Sequence, residues 1–475
     1  MLKRLFDRAF RRGKATATAV AGAVPAVAAI AVPTKLEIVS RKQHIISRRN
    51  ISPNALRVLY KLREGGYAAY LVGGAVRDLL LGGHPKDFDV ATDAHPDQVR
   101  SLFRNCRLIG RRFRLAHVHY GQEIIEVATF RGSADDGSGA RELIDGRIVR
   151  DNVYGTIEED AVRRDFTINA LYYAVEDFSV RDYVGGYRDV QDRVLRLIGD
   201  PERRFREDPV RMLRAARFAA KLGFVIEPKA LVAIGKLKQL IADAPPARLF
   251  DESLKLFLAG HALHSFRMLR EYDLLNTLLP NFTSAMLRDP SMLQMIEAAL
   301  HSTDERIRDG KTVTPAFLFA ALLWPALQEA MARRAARGDS EDWLGASQDV
   351  IAAQIARNAL PKRISLPMQE IWLLQPRLDA CQRKRSARML GHPRIRAAFD
   401  FLGLRALVAP ELRGTVTFWS ALYDGMVPSL LAEPEFVEGD AETVAAPATK
   451  KRRRRRRKPG SGDDATNAPS APLKN

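Results

Sequence analysis

The stretch LVGGAVRDLLLGGHPKDFDVAT, residues 71–92, decides how the N-terminal half of this chain folds. An apolar run leads into a Gly-Gly turn and a helical segment, and a second short apolar run then carries Asp87 and Asp89. Side chains alternate between the faces of a strand, so these two aspartates are expected on the same side. Unpaired carboxylates so close repel one another, and one would keep its proton unless a positive group lies between them. The pattern predicts a cation site on a strand.

The expected site suits a hard divalent cation. Phe88 would point into the core while both neighbouring aspartates point outward, and Mg²⁺ prefers such oxygen ligands together with substrate phosphate oxygens. A pair of ions can activate an attacking hydroxyl and stabilise a leaving group, which needs a further carboxylate on a neighbouring strand. The run EIIEVATFRG, residues 123–132, offers Glu126 in mid-strand, whereas Glu123 at its start is expected to be solvated.

The glycine turn is a second candidate feature. Gly73 and Gly74 precede the helical segment AVRDLLL, and free backbone N–H groups at a helix start suit phosphate. The turn is not a P-loop, because no Gly-Lys-Ser/Thr follows at the required spacing. Taken alone, an ordinary strand-to-helix turn explains it equally well.

The composition narrows the class of partner. The chain has 475 residues, of which 46% are apolar and 28% charged, and 75 Lys and Arg against 56 Asp and Glu give a formal net charge of +19. Such a surplus favours polyanions, with nucleic acid first and an anionic membrane surface second. Two cysteines form neither a disulfide framework nor a zinc cluster, which suits a reducing cytoplasm.

The composition changes along the chain, from an Ala-rich leader to a strand-rich head and then to helical patterns. The leader is expected to be disordered, although its first residues could form a short basic amphipathic helix that touches anionic lipid. The tail contains KKRRRRRRK, whose cations repel one another, so disorder is expected there too. The tail is either a solubilising extension or, as we favour, a tether for the RNA backbone. The expected regions are the leader 1–45, the head 46–199, a helical neck 200–258, a helical body 259–434 and the tail 435–475.

These motifs together resemble a known family. GG-x-x-RD, then D-x-D, then a lone acid on a later strand resembles the nucleotidyltransferase superfamily related to polymerase beta. RRDFTINAL, residues 163–171, and EDPVRMLRAARF, residues 207–218, are similar to motifs of the class II tRNA nucleotidyltransferases and bacterial poly(A) polymerases. The resemblance extends from about residue 44 to at least 257. It implies an α+β fold, with a polymerase beta-like head on a small mixed or antiparallel sheet and an all-α neck and body. The body would guide the RNA 3′ end through contacts mainly to the RNA backbone.

The resemblance also implies roles for individual residues. Asp87, Asp89 and Glu126 would be catalytic metal ligands, for Mg²⁺ or alternatively Mn²⁺. From the residues alone, the polar cluster of RRDFTINAL could equally be a structural salt bridge beside the apolar stripe of Phe166 and Ile168. The residues implied to bind the incoming ATP are Gly73, Gly74, Arg77, Arg164, Asp165, Asn169, Asp208 and Arg211.

Asp208 and Arg211 are implied to select the base. They are three residues apart and share a helix face. A carboxylate accepting from an exocyclic amine, beside an arginine donating to the adjacent ring nitrogen, matches the pairing edge of adenine or cytosine. The pair therefore leaves A and C open. Asp208 is also a good helix N-cap, with Pro209 at the first helical position and Gly223 as the helix end.

A further segment favours poly(A) synthesis over CCA addition. LIGRRFRLAHV, residues 108–118, resembles the segment that marks bacterial poly(A) polymerases, and its Arg111, Arg112 and Arg114 could hold RNA or triphosphate. A solvated basic loop is the ordinary alternative. His117 and His119 have a loosely metal-like spacing, but without a partner cluster they are interpreted as ordinary residues.

The expected reaction adds AMP from ATP to RNA 3′ ends without a template and releases pyrophosphate. A CCA-adding tRNA nucleotidyltransferase is the alternative. A catalytically inactive RNA-binding protein is a weaker one, since it predicts a broken acidic triad and all three acids are present. The implied partners are 3′ ends of mRNA, regulatory RNA or tRNA, and the RNA-decay machinery. We expect a monomer in the cytoplasm, with weak contact to the inner membrane face.

Overall fold

The computed structural model describes residues 36–110, 114–132, 141–144, 147–151, 153–280, 282–339, 341–380 and 389–431. The leader up to residue 35, the arginine pair Arg111 and Arg112, and the tail from residue 432 lie outside the described residues. The expectations for the tail and for most of the leader are therefore untested.

The head is built on a mixed sheet. Its strands are β1 (Glu37–Val39), β2 (Ala69–Val72), β3 (Asp89–Thr92), β4 (Cys106–Ile109), β5 (Leu115–Tyr120), β6 (Glu123–Thr129), β9 (Leu171–Ala174) and β10 (Val180–Asp182). Two further pairs of strands lie outside this sheet. They are the antiparallel hairpin of β7 (Arg141–Ile144) and β8 (Arg147–Asp151), and the parallel pair of β11 (Val194–Leu195) and β12 (Val225–Ile226). The order of the eight-stranded sheet is β1-β10-β9-β2-β3-β6-β5-β4. Within it, β3 and β6 run parallel, and the other pairs are antiparallel. The predicted α+β class with a mixed sheet is confirmed.

The helices of the head cover and connect these strands. They are α1 (Pro53–Glu64), α2 (Gly74–Leu80), α3 (Pro96–Leu102), α4 (Ile157–Arg163) and α5 (Gly186–Gln191), with 3₁₀ turns at Arg48–Asn50 and Thr167–Asn169. Local sequence signals fix several helix starts. Ser52 caps α1 ahead of Pro53, and Thr156 forms a capping box with Glu159 at the start of α4.

The rest of the described chain is helical, as expected. Its helices are α6 (Pro201–Glu207), α7 (Val210–Leu222), α8 (Pro228–Leu237), α9 (Pro246–Phe257), α10 (Ala262–Glu271), α11 (Leu275–Leu278), α12 (Phe282–Arg288), α13 (Met292–Arg308), α14 (Pro315–Leu322), α15 (Trp324–Ala335), α16 (Trp343–Asn358), α17 (Lys362–Asp379), α18 (Ile395–Arg405) and α19 (Arg413–Leu431), with 3₁₀ turns at Lys238–Asp243 and Pro410–Leu412. Gly223 ends α7 in the left-handed conformation, as predicted, with φ 66°.

The apolar side chains of head and body form a continuous core. One buried cluster extends from Val39 in β1 through the sheet and helices to Phe401 in α18. A second cluster, with Tyr70, Ala91 and Tyr172, covers the other face of the sheet. The division into head, neck and body remains a proposal, because the core does not separate at those boundaries.

One expectation about element bounds is wrong. The leader was expected to run to residue 45, but β1 pairs with β10 at the sheet edge, so the head begins earlier. A three-residue strand with Glu37 and Ile38 exposed carries little sequence signal. Asp208 ends α6 and also caps the start of α7, because its Oδ1 accepts a 3.3 Å hydrogen bond from the backbone N–H of Val210.

Candidate active site

Two parallel strands bring two of the predicted carboxylates side by side. Asp89 begins β3, Glu126 lies on β6, and the two residues are partners in the register of the parallel pair. Asp87 precedes the strand rather than lying on it, and the buried ring of Phe88 anchors the loop between the two aspartates. The predicted arrangement, with Phe88 inward and both aspartates outward, is confirmed.

The electrostatics of Asp89 are those of a crowded acid. Burial among surrounding protein atoms raises the pKa of Asp89 to about 6, with further contributions from the charges of Glu126 and Asp87, while Arg164 opposes the shift. The carboxylate itself keeps solvent-accessible surface, so a ligand can still reach it. A positive charge bound at Asp89 would relieve this repulsion.

The donor set fits a hard divalent cation. Among the described residues no three His, Cys, Asp or Glu side chains form a preformed metal cluster. However, Asp87, Asp89 and Glu126 offer only carboxylate oxygens, and the charges of Glu126 and Asp87 add to the burial that raises the pKa of Asp89. The chemistry of these donors, rather than a preformed cage, supports metal binding.

His117 was missed as part of this site. It lies opposite Glu126 in the antiparallel pair of β5 and β6, and its Nε2 lies 3.3 Å from Glu126 Oε1. The interpretation of His117 as an ordinary residue did not include the register between β5 and β6, which places it opposite Glu126. Glu123 was expected to be solvated, but it accepts a 2.6 Å hydrogen bond from Asn54 Nδ2.

The glycine turn lies beside the acids. Gly73 has φ 75° and ψ −136°, a conformation in which a side chain is strained. A β-carbon at Gly73 would lie 3.8 Å from Asp89 Oδ2 and 3.7 Å from Arg164 Nη1. The turn backbone and the start of α2 at Gly74 therefore border the same recess as Asp89 and Arg164.

The Arg77 side chain is buried, whereas a nucleotide-binding arginine was expected to be accessible to a ligand. Its side chain is 2% exposed and donates to Asp78 Oδ1 at 2.6 Å and to Asn169 Oδ1 at 2.6 Å. These contacts engage the buried guanidinium within the protein, so Arg77 positions Asn169 rather than presenting charge to a ligand. Sequence spacing alone does not separate these two roles.

The RRDFTINAL segment forms two networks. Arg164 donates to Asp160 Oδ2 at 3.0 Å and to the Tyr172 hydroxyl at 3.1 Å, and this pairing raises the pKa of Arg164 despite its burial. It remains 24% exposed toward the recess. Asp160 and Tyr172 carried no sequence signal for this role.

The second network holds Asp165 in place. Its Oδ2 accepts from Arg214 Nε at 2.9 Å, and its Oδ1 accepts from Asn169 Nδ2 at 3.2 Å. Burial alone would raise the pKa of Asp165, but Arg214 and Asn169 lower it to about 2. Asp165 is therefore ionised and engaged, and Asn169 links it to Arg77. Arg214, on α7, was missed.

The side chains of the two base-selection candidates, Asp208 and Arg211, are both hydrogen-bonded to other residues of the protein. Asp208 accepts from Arg248 Nη1 at 2.9 Å and Nη2 at 2.8 Å, while Arg211 donates to Glu207 Oε2 at 3.1 Å and to the Arg204 carbonyl at 2.8 Å. Although burial opposes it, Arg248 lowers the pKa of Asp208. The predicted pair thus lies within a network of neck residues, and Arg248 on α9 was missed.

The basic loop is described only in part. Arg111 and Arg112 lie outside the described residues. Arg114 is 53% exposed and lies 3.7 Å from Asp97. The expectation that these three arginines bind RNA is untested.

Acidic residues on adjacent strands, a glycine turn at a helix start beside them and a mixed sheet followed by helices are the features of a nucleotidyltransferase head. Residues 69–196 match the poly A polymerase head domain. Residues 223–286 match the probable RNA and SrmB- binding site of polymerase A, and residues 339–459 match the polymerase A arginine-rich C-terminus.

Relatives that align with most of the chain belong to the same family as these domain matches. Poly(A) polymerase I of Salmonella typhi is 53% identical over 397 residues, covering 81% of this chain and 85% of the relative. Poly(A) polymerase I of Escherichia coli O6:H1 is 52% identical over 402 residues, covering 82% and 86%. The chain belongs to the poly(A) polymerase I family. It is a template-independent polynucleotide adenylyltransferase that binds RNA.

CCA-adding enzymes are more distant relatives. The enzyme of Bacillus subtilis is 42% identical over 209 residues, only 44% of this chain and 50% of the relative. Among solved structures, the Bacillus stearothermophilus CCA-adding enzyme in complex with CTP matches with TM-score 0.57 and 27% identity, covering 83% of this chain and 90% of that one. The alternative function, CCA addition to tRNA, is therefore less well supported than poly(A) synthesis.

Across the described residues no single helix is long and apolar enough to cross a bilayer. α14 and α15 reach the length and apolar composition of a membrane span only together, and the two helices are bent by 52° relative to each other.

Proposed function

We propose that Asp87, Asp89 and Glu126 hold Mg²⁺, or alternatively Mn²⁺, for AMP transfer from ATP to an RNA 3′ end. The observation that carries this is the parallel register of Asp89 and Glu126 together with the raised pKa of Asp89. When bound, the metal would stabilise negative charge on the phosphates and on the departing pyrophosphate.

The transfer itself is a displacement at phosphorus. The RNA 3′ oxygen forms a bond to the α-phosphorus of ATP, the bond between that phosphorus and the α–β bridging oxygen breaks, and pyrophosphate leaves. The hydroxyl proton passes to solvent. The protein's part is to align the two reactants in a charged recess, which lowers the entropic cost of the encounter.

The glycine turn and Arg164 are proposed to bind the triphosphate. Backbone N–H groups at Gly73 and Gly74 suit phosphate oxygens, and Arg164 carries a partly exposed guanidinium beside the turn. Asp165 and Asn169 support the same recess, because their side chains tie it to α7 and to Arg77. Of these, Arg164 is the residue best placed to contact phosphate.

Base selection is proposed to fall on Asp208 and Arg211. Arg248 holds both Asp208 oxygens, and Glu207 holds Arg211, so these contacts restrict how either side chain can turn toward a base. Holding the pair in one orientation reduces the conformational entropy that is lost when a base binds. The pair alone still leaves adenine and cytosine open, and membership of the poly(A) polymerase I family identifies the base as adenine.

The proposed partners are 3′ ends of mRNA, regulatory RNA or tRNA, and the RNA-decay machinery. The match at residues 223–286 and the net charge of +19 support contact with RNA backbone. Arg111, Arg112 and Arg114 are proposed to contribute. We further propose a monomer in the cytoplasm, where ATP and RNA are available, with weak contact to the inner membrane face through the basic leader.

Purified protein incubated with Mg²⁺, an unstructured RNA primer, and ATP or CTP separately tests the reaction. Long A-tracts from ATP alone are the expected result. Asp89→Asn should abolish incorporation while RNA affinity is retained, and Asp192→Asn, at an exposed acid, serves as the matched control. Near-normal turnover in Asp89→Asn would refute the metal assignment.

A further inference from the structure

A second basic cleft lies on the opposite face of the head sheet. Its volume is about 500 Å³, and its lining includes Arg41, Arg48, Arg49, Tyr60, Tyr173 and Phe178. Tyr172 and Tyr173 are neighbours on β9 and point to opposite faces. Tyr172 contacts Arg164 in the active-site recess, whereas Tyr173 lines the cleft. The cleft is therefore separate from the site of AMP transfer.

Among the described residues, the arginines that line this cleft are not paired with carboxylates, although the charge of Asp177 reaches Tyr173 in the cleft wall. Arg41, Arg48 and Arg49 are exposed, and within the described ranges none of them forms a salt bridge with a carboxylate. Other arginines are held by carboxylates, for example Arg196 by Asp189 in the head and Arg214 by Asp165 in the neck. Three unmatched cations around one concave surface attract an anion of several charges.

The walls of the cleft are held in place by specific contacts. The Arg48 guanidinium lies 4.6 Å from the centre of the Phe178 ring and donates to the Tyr60 hydroxyl at 3.3 Å. Phe178 has φ 59°, and its carbonyl lies 2.8 Å from His44 Nε2, while Arg41 donates to the His44 carbonyl at 3.0 Å. The cationic and aromatic groups therefore share one supported surface.

We propose that this cleft binds the phosphodiester backbone of single-stranded RNA upstream of the 3′ end. The inference rests on the RNA binding of the family but does not depend on the metal or base assignments. Aromatic rings and guanidinium planes stack with bases of any sequence, and arginines follow the backbone. A strand that occupies the cleft and the active site together would stay bound between successive additions.

The test is the salt dependence of RNA affinity. Binding of a labelled oligoadenylate of about 20 nucleotides is measured by fluorescence anisotropy over a KCl series, with a strand of about 5 nucleotides for comparison. Arg48→Gln/Arg49→Gln should reduce the slope of log affinity against log salt by about 1.4 for the long strand, since each single-strand phosphate contact contributes about 0.7. The short strand, which binds at one site only, should keep its slope.

Two further variants keep the result interpretable. Arg49→Gln alone should reduce the slope by about 0.7 without disturbing the fold, because among the described residues the Arg49 guanidinium makes no hydrogen bond. Arg100→Gln/Arg104→Gln removes the same charge from exposed arginines of the head that do not line the cleft and should leave the slope unchanged. Circular dichroism and thermal unfolding confirm that each variant is folded.

Three results would overturn the proposal. The first is an unchanged slope for the long strand in both cleft variants. The second is an equal loss for short and long strands, which would mean that these arginines act at the 3′ end. The third is a loss of binding to phosphatidylglycerol vesicles with an unchanged RNA slope, which would make the cleft a lipid-binding surface.

Discussion

Asp89→Asn should make the metal-free protein more stable while destroying its activity. The folded-state pKa of Asp89 is about 6 against an ordinary value of 3.8, so the ionised form is disfavoured by folding. The ionised carboxylate therefore lowers the free energy of unfolding at neutral pH. This destabilisation disappears as pH falls through 6 toward 3.8. Two pKa units correspond to at most about 3 kcal/mol. Because the carboxylate is solvent exposed, screening reduces the expected gain to about 1 kcal/mol.

Thermal unfolding at pH 7.5 measures this gain. In EDTA, Asp89→Asn should unfold about 1–3 °C above the wild type, given the size of the chain. Adding Mg²⁺ should raise the midpoint of the wild type and leave that of the variant unchanged, because a ligand stabilises only the state that binds it. Asp192→Asn, which removes an exposed acid paired with Arg188, should show neither effect.

The reasoning fails in two ways that the assay distinguishes. A variant less stable than the wild type in EDTA would mean that attraction to Arg164 outweighs repulsion from Glu126 and Asp87. Equal stabilisation of both proteins by Mg²⁺ would mean that Asp89 is not a metal ligand.

Three further predictions concern residues around the site. Asp165→Asn should cost about 2 kcal/mol at pH 7, because the folded pKa of about 2 lies below 3.8, and urea unfolding should show the cost disappear as pH falls from about 4 to 2. Gly186→Ala places a β-carbon 2.1 Å from the Thr167 carbonyl oxygen, so it should lower the free energy of unfolding by about 3 kcal/mol and abolish AMP incorporation. Gly235→Ala, where the added β-carbon meets open space, is the control and should unfold at no lower temperature than the wild type. His117→Phe keeps an aromatic ring but removes the nitrogen that faces Glu126, so kcat should fall about tenfold with KM for ATP unchanged if His117 positions this carboxylate. An unchanged kcat would contradict that role.

Much of the fold could be predicted from local patterns. The strands around Asp89 and Glu126 were recognisable because period-2 alternation and a charged residue in an apolar run are short-range features. The outward direction of both aspartates follows from the same alternation, with Phe88 as the buried anchor. The edge strand β1 was missed, since three residues with exposed side chains carry almost no pattern.

The sequence by itself determined the acids, the glycine turn, the class of fold and the polyanion preference, because these depend on residue type and short spacing. Only the tertiary structure decided which side chains the acids and arginines meet. Arg214 reaches Asp165 across 49 residues, and Arg248 reaches Asp208 across 40. Such pairs are set by how α7 and α9 pack against the head, and helix packing leaves no mark at the spacing of either motif. The contact between His117 and Glu126 depends likewise on strand register, which pairing of the whole sheet fixes.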